Sequence, residues 1–456
     1  MQGPGGKDVL PIGSRLELFV DEYVIEALQG GARRQLHAPQ PREIVLVHDR
    51  PWEGNVCGYH TFIRDGDRVR VYYRGAQLNE RIAGPKTRHE VTCLAESDDG
   101  IVWRKPALGL VPFQGSAANN VILSGPGTHN FAPFLDSSPA APLQQRYKAL
   151  GSARRPQHGL LPFASADGVH WSLLSETPVI TDGKFDSQNI AFWDSERGEY
   201  RAYYRDFQDG VRGIKTATSP DFLHWTAGEW LKFPGAGTHQ LYTNQVLPYY
   251  RAPHIYLGFP TRFLPDRGQI TEGLLMASRD GVTFSLWEEA LLRPGPNRDR
   301  WGNRSNYIWY GLIETAGSFP GSPNELSIYS TEHYYEGSAS YVRRFTFRID
   351  GFVSVQAPYA GGGLLTRILS FTGERLVINA ATSAAGSVAV ELLTPDGGPL
   401  PGFALDDCDP FWGDAIEHTV TWKGSADVSA LQGRPLRLRF FLRDADLYSF
   451  RFAPAP

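Results

Sequence analysis

Sulfur is scarce in this chain of 456 residues, which has three cysteines (Cys57, Cys93, Cys408) and two methionines. Three cysteines do not make a disulfide framework; three buried thiols are expected, with a Cys57–Cys93 bridge as the alternative. Lysine is scarce too, at eight of the 45 basic residues, so the other 37 are arginine. A GC-rich genome produces that bias, and so does a need for bidentate contacts to carboxylates or sulfates. No excess of positive charge exists. The net charge is −4, which argues against nucleic acid or an anionic membrane as a partner. No apolar run approaches the roughly 20 residues that span a bilayer. The opening MQGPGGKDVLPIG lacks an apolar signal core. The expectation is therefore a cytoplasmic protein, or a periplasmic or secreted one whose signal peptide has been removed. Phosphate loops, dinucleotide fingerprints and acidic Ca²⁺ loops are missing, so no cofactor is expected. Helical periodicity is nearly absent.

What the chain does have is aromatic residues: 11 Trp, 20 Tyr and 25 Phe, within a 41% hydrophobic composition. That is ample for large cores and excludes general disorder. The length exceeds one ordinary domain of about 100–200 residues.

One motif recurs four times, Ser-x-Asp-x-x-x-aromatic: SDDGIVW from Ser97, SADGVHW from Ser165, SPDFLHW from Ser219 and SRDGVTF from Ser278. Asp-Gly makes a tight turn because glycine tolerates positive φ and aspartate bonds its own backbone. The aromatic residue then opens the next strand and packs over the turn. Asp350-Gly351-Phe352 reads as a degenerate fifth copy. Before each turn run two aromatic-rich strand patterns, such as YHTFIRDG (59–66) with VRVYYRG (69–75), and NIAFWDSE (189–196) with YRAYYRD (200–206). Five units of four strands predict an all-β fold, a five-bladed β-propeller; an irregular β-sandwich array is the alternative. After Gly361-Gly362-Gly363 the turn motif stops. The expected division is residues 1–361 as the propeller, with 1–50 packed on or closing it, and 362–456 as a C-terminal β-sandwich. Asp444-Ala445-Asp446 reads as a polar turn.

Inner strands of a propeller line a central channel and begin at one face, where second strands end and third strands begin. The repeat therefore names the polar residues at that mouth. Inner-strand starts carry Trp52, Glu53, Tyr59, His60, His129, Asn130, Asp186, Asn189, His239, Tyr242, Arg304 and Tyr307. Second-strand ends carry Arg74, Arg205, Asp206, Arg262 and Glu332, followed by Tyr334. Glu90 and Glu272 precede third strands. Aromatics stack on sugar rings, Asn and Arg bond hydroxyls or acids, and paired carboxylates cleave glycosidic bonds. The expected partner is an oligosaccharide or polysaccharide.

A five-bladed propeller followed by a sandwich resembles the fructan-active glycoside hydrolases of family 32, and the propeller alone resembles the arabinanases and xylosidases of family 43. Phe185-Asp186-Ser187-Gln188-Asn189-Ile190-Ala191-Phe192-Trp193-Asp194, followed by Tyr200-Arg201-Ala202-Tyr203-Tyr204, is similar to their blade start, and SPDFLHW to their turn. The family 32 motifs W-x-N-D-P-N-G, R-D-P and E-C are not intact, and Arg205-Asp206-Phe207 stands at a second-strand end. Fructan specificity therefore does not carry over, and the chain looks like a bacterial branch beside family 32.

The resemblance implies three acidic groups: a nucleophile or base, a proton donor, and one that tunes pKa. Asp186 stands where those enzymes place a catalytic or pKa-tuning aspartate. Glu53 opens the first blade, where the nucleophile or base would sit. Glu272 and Glu332 are rival acids. His60, His129 and His239 form a candidate metal set for an alternative, metal-dependent enzyme. A structural cation such as Ca²⁺ in the channel is what the family 43 likeness allows. Arg74, Arg205, Arg262 and Arg304 would suit an acidic sugar. A glycan-binding propeller without catalysis is the other alternative.

Overall fold

In the computed structural model the chain is described over residues 9–77, 89–153, 157–302, 305–335 and 340–455. Two compact units emerge: residues 39–346, and a unit combining residues up to 38 with 347–456.

The first unit is the five-bladed propeller. Each blade is an antiparallel sheet built around four strands. The first runs Gly58–Asp65, Arg68–Gln77, His89–Ser97 and Val121–Ser124. The second holds His129–Leu135, Tyr147–Ser152, Leu160–Ser165 and Ser172–Leu173. The third holds Ile190–Asp194, Glu199–Gln208, Val211–Ser219 and Glu229–Trp230. The fourth is Leu247–Tyr249, Ala252–Gly258, Ile270–Ser278 and Phe284–Leu292, with Thr261–Leu264 added on the third of these.

The fifth blade closes the ring with a borrowed strand. Ile313–Thr315, Glu325–Glu332 and Tyr341–Arg348 come from the C-terminal side, and the outer strand is Gln40–Val47 from the N-terminal side. The Asp350-Gly351-Phe352 turn therefore does not lead into an outer strand of that blade. Val353–Ala357, which follows it, pairs instead with Arg33–Leu36 and Arg437–Ala453 in the second unit. Joining both ends of the chain in one blade closes the ring of blades.

The repeated turn works as its sequence suggests. The Ser97 hydroxyl accepts the Gly100 N–H (2.8 Å), and Asp99 Oδ1 accepts the N–H groups of Ile101 and Val102 (2.7 and 2.8 Å). The same bonds recur from Ser165 and Asp167, Ser219 and Asp221, and Ser278 and Asp280. Three of these turns are also clasped by a tyrosine of the preceding blade: Tyr329 to Gly100 O (2.7 Å), Tyr72 to Gly168 O (3.0 Å) and Tyr203 to Gly281 O (2.8 Å). These tyrosines are wholly buried, so each phenol both fills the inter-blade core and satisfies a buried carbonyl. Gly168 has φ +75°, and a Cβ there would lie 2.5 Å from Arg70 Nη1 and Tyr72 Oη. Gly168→Ala is expected to cost about 1–3 kcal/mol in urea unfolding, from strain and the loosened clasp together.

The second unit differs from the expected division. Ile25–Gly30 pairs with Gly362–Thr366, and Arg33–Leu36 with Val353–Ala357, so residues up to 38 belong with the C-terminal strands and not with the propeller. Its main sheet has eight strands in one hydrogen-bonded system. It is continuous because Arg375–Leu393 and Arg437–Ala453, 19 and 17 residues long, pair along their whole length with a break between Thr382 and Ser387. Asp444 to Asp446 lies inside the latter strand, where Asp446 Oδ1 accepts Ser354 Oγ at 2.6 Å. A smaller parallel pair joins Leu10–Gly13 to Leu369–Phe371.

Candidate functional site

The mouth of the propeller gathers a charge relay. His129 opens the second blade's inner strand. Its Nδ1 lies 2.7 Å from Glu90 Oε1, and its Nε2 lies 3.2 Å from Asp186 Oδ1. Burial alone would lower the His129 pKa, but the two carboxylates outweigh it and raise the pKa, with Arg74 opposing. Desolvation likewise pushes the Asp186 carboxyl up, yet His129, Arg74 and Arg205 together hold it well below the usual carboxylate range. The Asp186 side chain is still 65% exposed, so an ionised carboxylate faces solvent beside a half-buried, protonatable imidazole.

Arg74 braces this relay from beneath. Nη1 donates to Asn130 Oδ1 (3.1 Å), Nη2 donates to Tyr334 Oη (2.8 Å), and the guanidinium lies 4.6 Å from the Tyr59 ring centre. The strand register explains the grouping: Ala76 faces Glu90, and Arg74 is two residues from Ala76 on the same side. Beneath lies a floor of buried aromatics. Tyr307 stacks on Trp309 at 5.0 Å, Tyr242 meets Tyr307 edge-on at 5.6 Å, and Tyr59 meets Trp309 at 5.8 Å. Tyr59 and Asn130 hold φ near +55°, a conformation that non-glycine residues adopt at a cost and that clusters at functional sites.

The structure brings together Asp186, His129, Asn130, Arg74, Arg205, Tyr242 and Tyr307 with Glu90, Tyr59 and Tyr334, which the repeat also placed at the mouth. Glu90 carried no predicted role. Its signal was its place before a third strand, two residues out of register with Arg74.

Other predicted residues have different employment. Glu53 is wholly buried, and its carboxylate accepts Tyr73 Oη (2.6 Å), Lys105 Nζ (2.7 Å) and the Arg50 N–H (2.8 Å). Glu332 is wholly buried between Arg343 (2.8 Å) and Arg300 (3.5 Å). Glu272 is taken by Arg262 (2.7 Å), whose Nη1 also donates to Glu288 O. Trp52 Nε1 donates to Asn120, and Asn189 Nδ2 to the backbone of Phe185 and Ser187. Asp206 turns to the N–H of Phe207 and to Lys215. Arg304 lies outside the described residues. Propeller strands end in many polar groups because each end must satisfy its backbone and seal a blade junction, so position alone does not separate structural acids from open ones.

The histidine set is not assembled. His60 is buried with Nε2 3.0 Å from His48 Nε2, while His239 pairs with Glu288 at 2.6 Å in a groove of about 480 Å³ lined by Arg212, Trp230 and Phe233. Among the described residues no cluster of three or more His, Cys, Asp or Glu side chains is placed to hold a metal ion. Gln188 Nε2 donates to His60 O and Thr61 Oγ1 (both 2.9 Å). All three cysteines are buried and free, and burial pushes the Cys57 and Cys93 thiols up.

The His48–His60 pair carries an acid liability. Burial and Lys105 push His48 down to about 3, and burial and His48 push His60 down as well. An unfolded imidazole takes a proton near pH 6.5 that the folded one refuses. This part of the stability is whole above that pH and is lost as pH falls towards 3. By about pH 5 the loss from His48 is about 2 kcal/mol. His48→Gln, which has no such proton, is expected to lose that much less in urea unfolding between about pH 7.5 and about pH 5.

No protein-family model matches the chain, and no curated protein does. Among solved structures, one described as a glycoside hydrolase is 14% identical with a TM-score of 0.47, covering 68% of this chain and 92% of its own. An N-acetylgalactosamine deacetylase from F. plautii, in complex with blood group B trisaccharide, is 13% identical with a TM-score of 0.45, covering 70% and 96%. A member of the GH130 family of mannoside phosphorylases and glycoside hydrolases is 13% identical with a TM-score of 0.42, covering 71% and 95%.

Proposed function

We propose that this protein is a glycoside hydrolase that cleaves its substrate at the propeller mouth. The observation that carries the reading is the exposed, ionised Asp186 joined through His129 to Glu90. An oxocarbenium-like transition state needs a fixed negative charge beside the anomeric carbon and a proton for the leaving oxygen. Asp186 supplies the charge. Its depressed pKa suits that role and unsuits it as a proton donor. The donor is the imidazolium of His129, kept protonated by its two carboxylates. Nε2–H passes its proton to the glycosidic oxygen as the bond to the anomeric carbon breaks. Water then adds to that carbon and returns a proton to His129. The acid is thus a histidine and not a second free carboxylate.

One observation favours the binding-only alternative: of the four predicted acids, three are committed to ion pairs and only Asp186 is open. The test is reducing-sugar release from fructans, arabinans, xylans and uronate-rich or sulfated polymers, each with and without chelator. Release from one of them, unaffected by chelator, is expected. Binding of a glycan without release would replace the hydrolase with a lectin-like propeller.

A further inference from the structure

Four arginines were candidates for an acidic sugar, and the structure leaves one of them open. Arg74 is spent on Asn130, Tyr334 and the Val56 carbonyl. Arg262 is spent on Glu272 and Glu288 O, and Arg304 lies outside the described residues. Arg205 is different. It is 5% exposed, and Nε donates to Lys184 O at 3.1 Å. Among the described residues neither Nη atom donates to a protein acceptor.

An arginine whose outer fork makes no bond to the described residues can offer both Nη groups to one planar anion. Its surroundings hold it in place. The guanidinium carbon lies 4.8 Å from the Tyr242 ring centre and 5.4 Å from that of Phe207. Arg212 lies against the same two rings at 5.4 and 5.0 Å, and its Nη1 is tied to Gln240. Phe207 is 37% exposed at the rim. Arg205 is close enough to Asp186 to act on its charge.

Resting on the hydrolase reading, we infer that the substrate is an anionic glycan whose sugar at the mouth bears a carboxylate or sulfate ester, gripped by the Nη fork of Arg205 with its ring against Phe207. Planar, bidentate recognition is what arginine offers and lysine does not.

The experiment is calorimetric titration of the whole protein with galacturonate, glucuronate and galactose sulfate against neutral galactose and glucose, all at millimolar concentration. The anionic sugars are expected to bind about tenfold more tightly or better. The stronger arm, uronate or sulfate, names the group. Arg205→Gln is expected to abolish the preference. Arg205→Lys, which keeps the charge without the fork, should lose most of it and carries the mutant test if the glutamine variant does not fold. Equal binding of neutral sugars, no binding of any sugar, or a preference that survives in the variants would overturn the inference. Because the readout is binding, the two readings fail separately. Anion preference without turnover removes the hydrolase and leaves the anchor. Turnover confined to neutral glycans removes the anchor and leaves the hydrolase.

Discussion

Asp186→Asn is expected to lower glycan cleavage by about 10³-fold while costing only about 1–2 kcal/mol of unfolding free energy, the share of its charge interactions left after solvent screening. The substitution keeps the shape of the side chain and removes one charge. The carboxylate is 65% exposed and sits on the His129 ring edge at 3.2 Å, so little packing depends on it. Its charge matters more, because it stands where the positive transition state would form. The variant should also move the pH profile. Asp186 is one of the two groups that raise the His129 pKa. With that support gone the imidazolium gives up its proton at lower pH, and the alkaline limb of kcat should shift down. Initial rates across pH with circular dichroism and urea unfolding on the same samples decide it. Activity within tenfold of wild type, or an unmoved alkaline limb, would remove Asp186 from the chemistry.

Glu53→Ala and Glu332→Ala are expected to behave oppositely, each losing about 3–5 kcal/mol of stability. Glu332 lies wholly buried between Arg343 and Arg300. Removing it takes two hydrogen bonds from Arg343 and leaves Arg343 and Arg300 facing each other without a carboxylate between them. Glu53 is equally buried and anchors Lys105 and the Tyr73 hydroxyl. Breaking a buried pair by deleting one partner costs far more than the pair itself contributes. A loss of activity with unchanged urea midpoint, as a catalytic acid would show, would contradict the structural role drawn for either glutamate.

The strand patterns were legible because their chemistry is local. Each Ser-x-Asp turn bonds itself through its own side chains, as Ser165 and Asp167 do to the backbone at Gly168, Val169 and His170. Each second strand is a short run buried along most of its length, rich in aromatic residues. Four such turns at steps of 54–68 residues were enough to read five blades. The acids were not legible in the same way. Glu53, Glu272, Glu332 and Asp186 all stand at strand ends on one face, and their sequence neighbourhoods do not say which of them meets a cation from another blade. Glu53 meets Lys105 across 52 residues, whereas Asp186 pairs with His129.

By itself the sequence determined the all-β class, the five-fold repeat and the three buried thiols, because turn chemistry, strand patterning and composition act over a few residues. Tertiary structure alone decided three things. Gln40–Val47 closes the fifth blade and residues up to 38 join the C-terminal sheet, because pairing with strands some 300 residues away is not encoded near either partner. Glu90, His129 and Asp186 form one relay, because three blade edges converge on an axis that no linear spacing records. And Arg205 keeps an open fork where Arg74 and Arg262 do not, because whether a buried charge is satisfied depends on which acceptors the neighbouring blades bring to it.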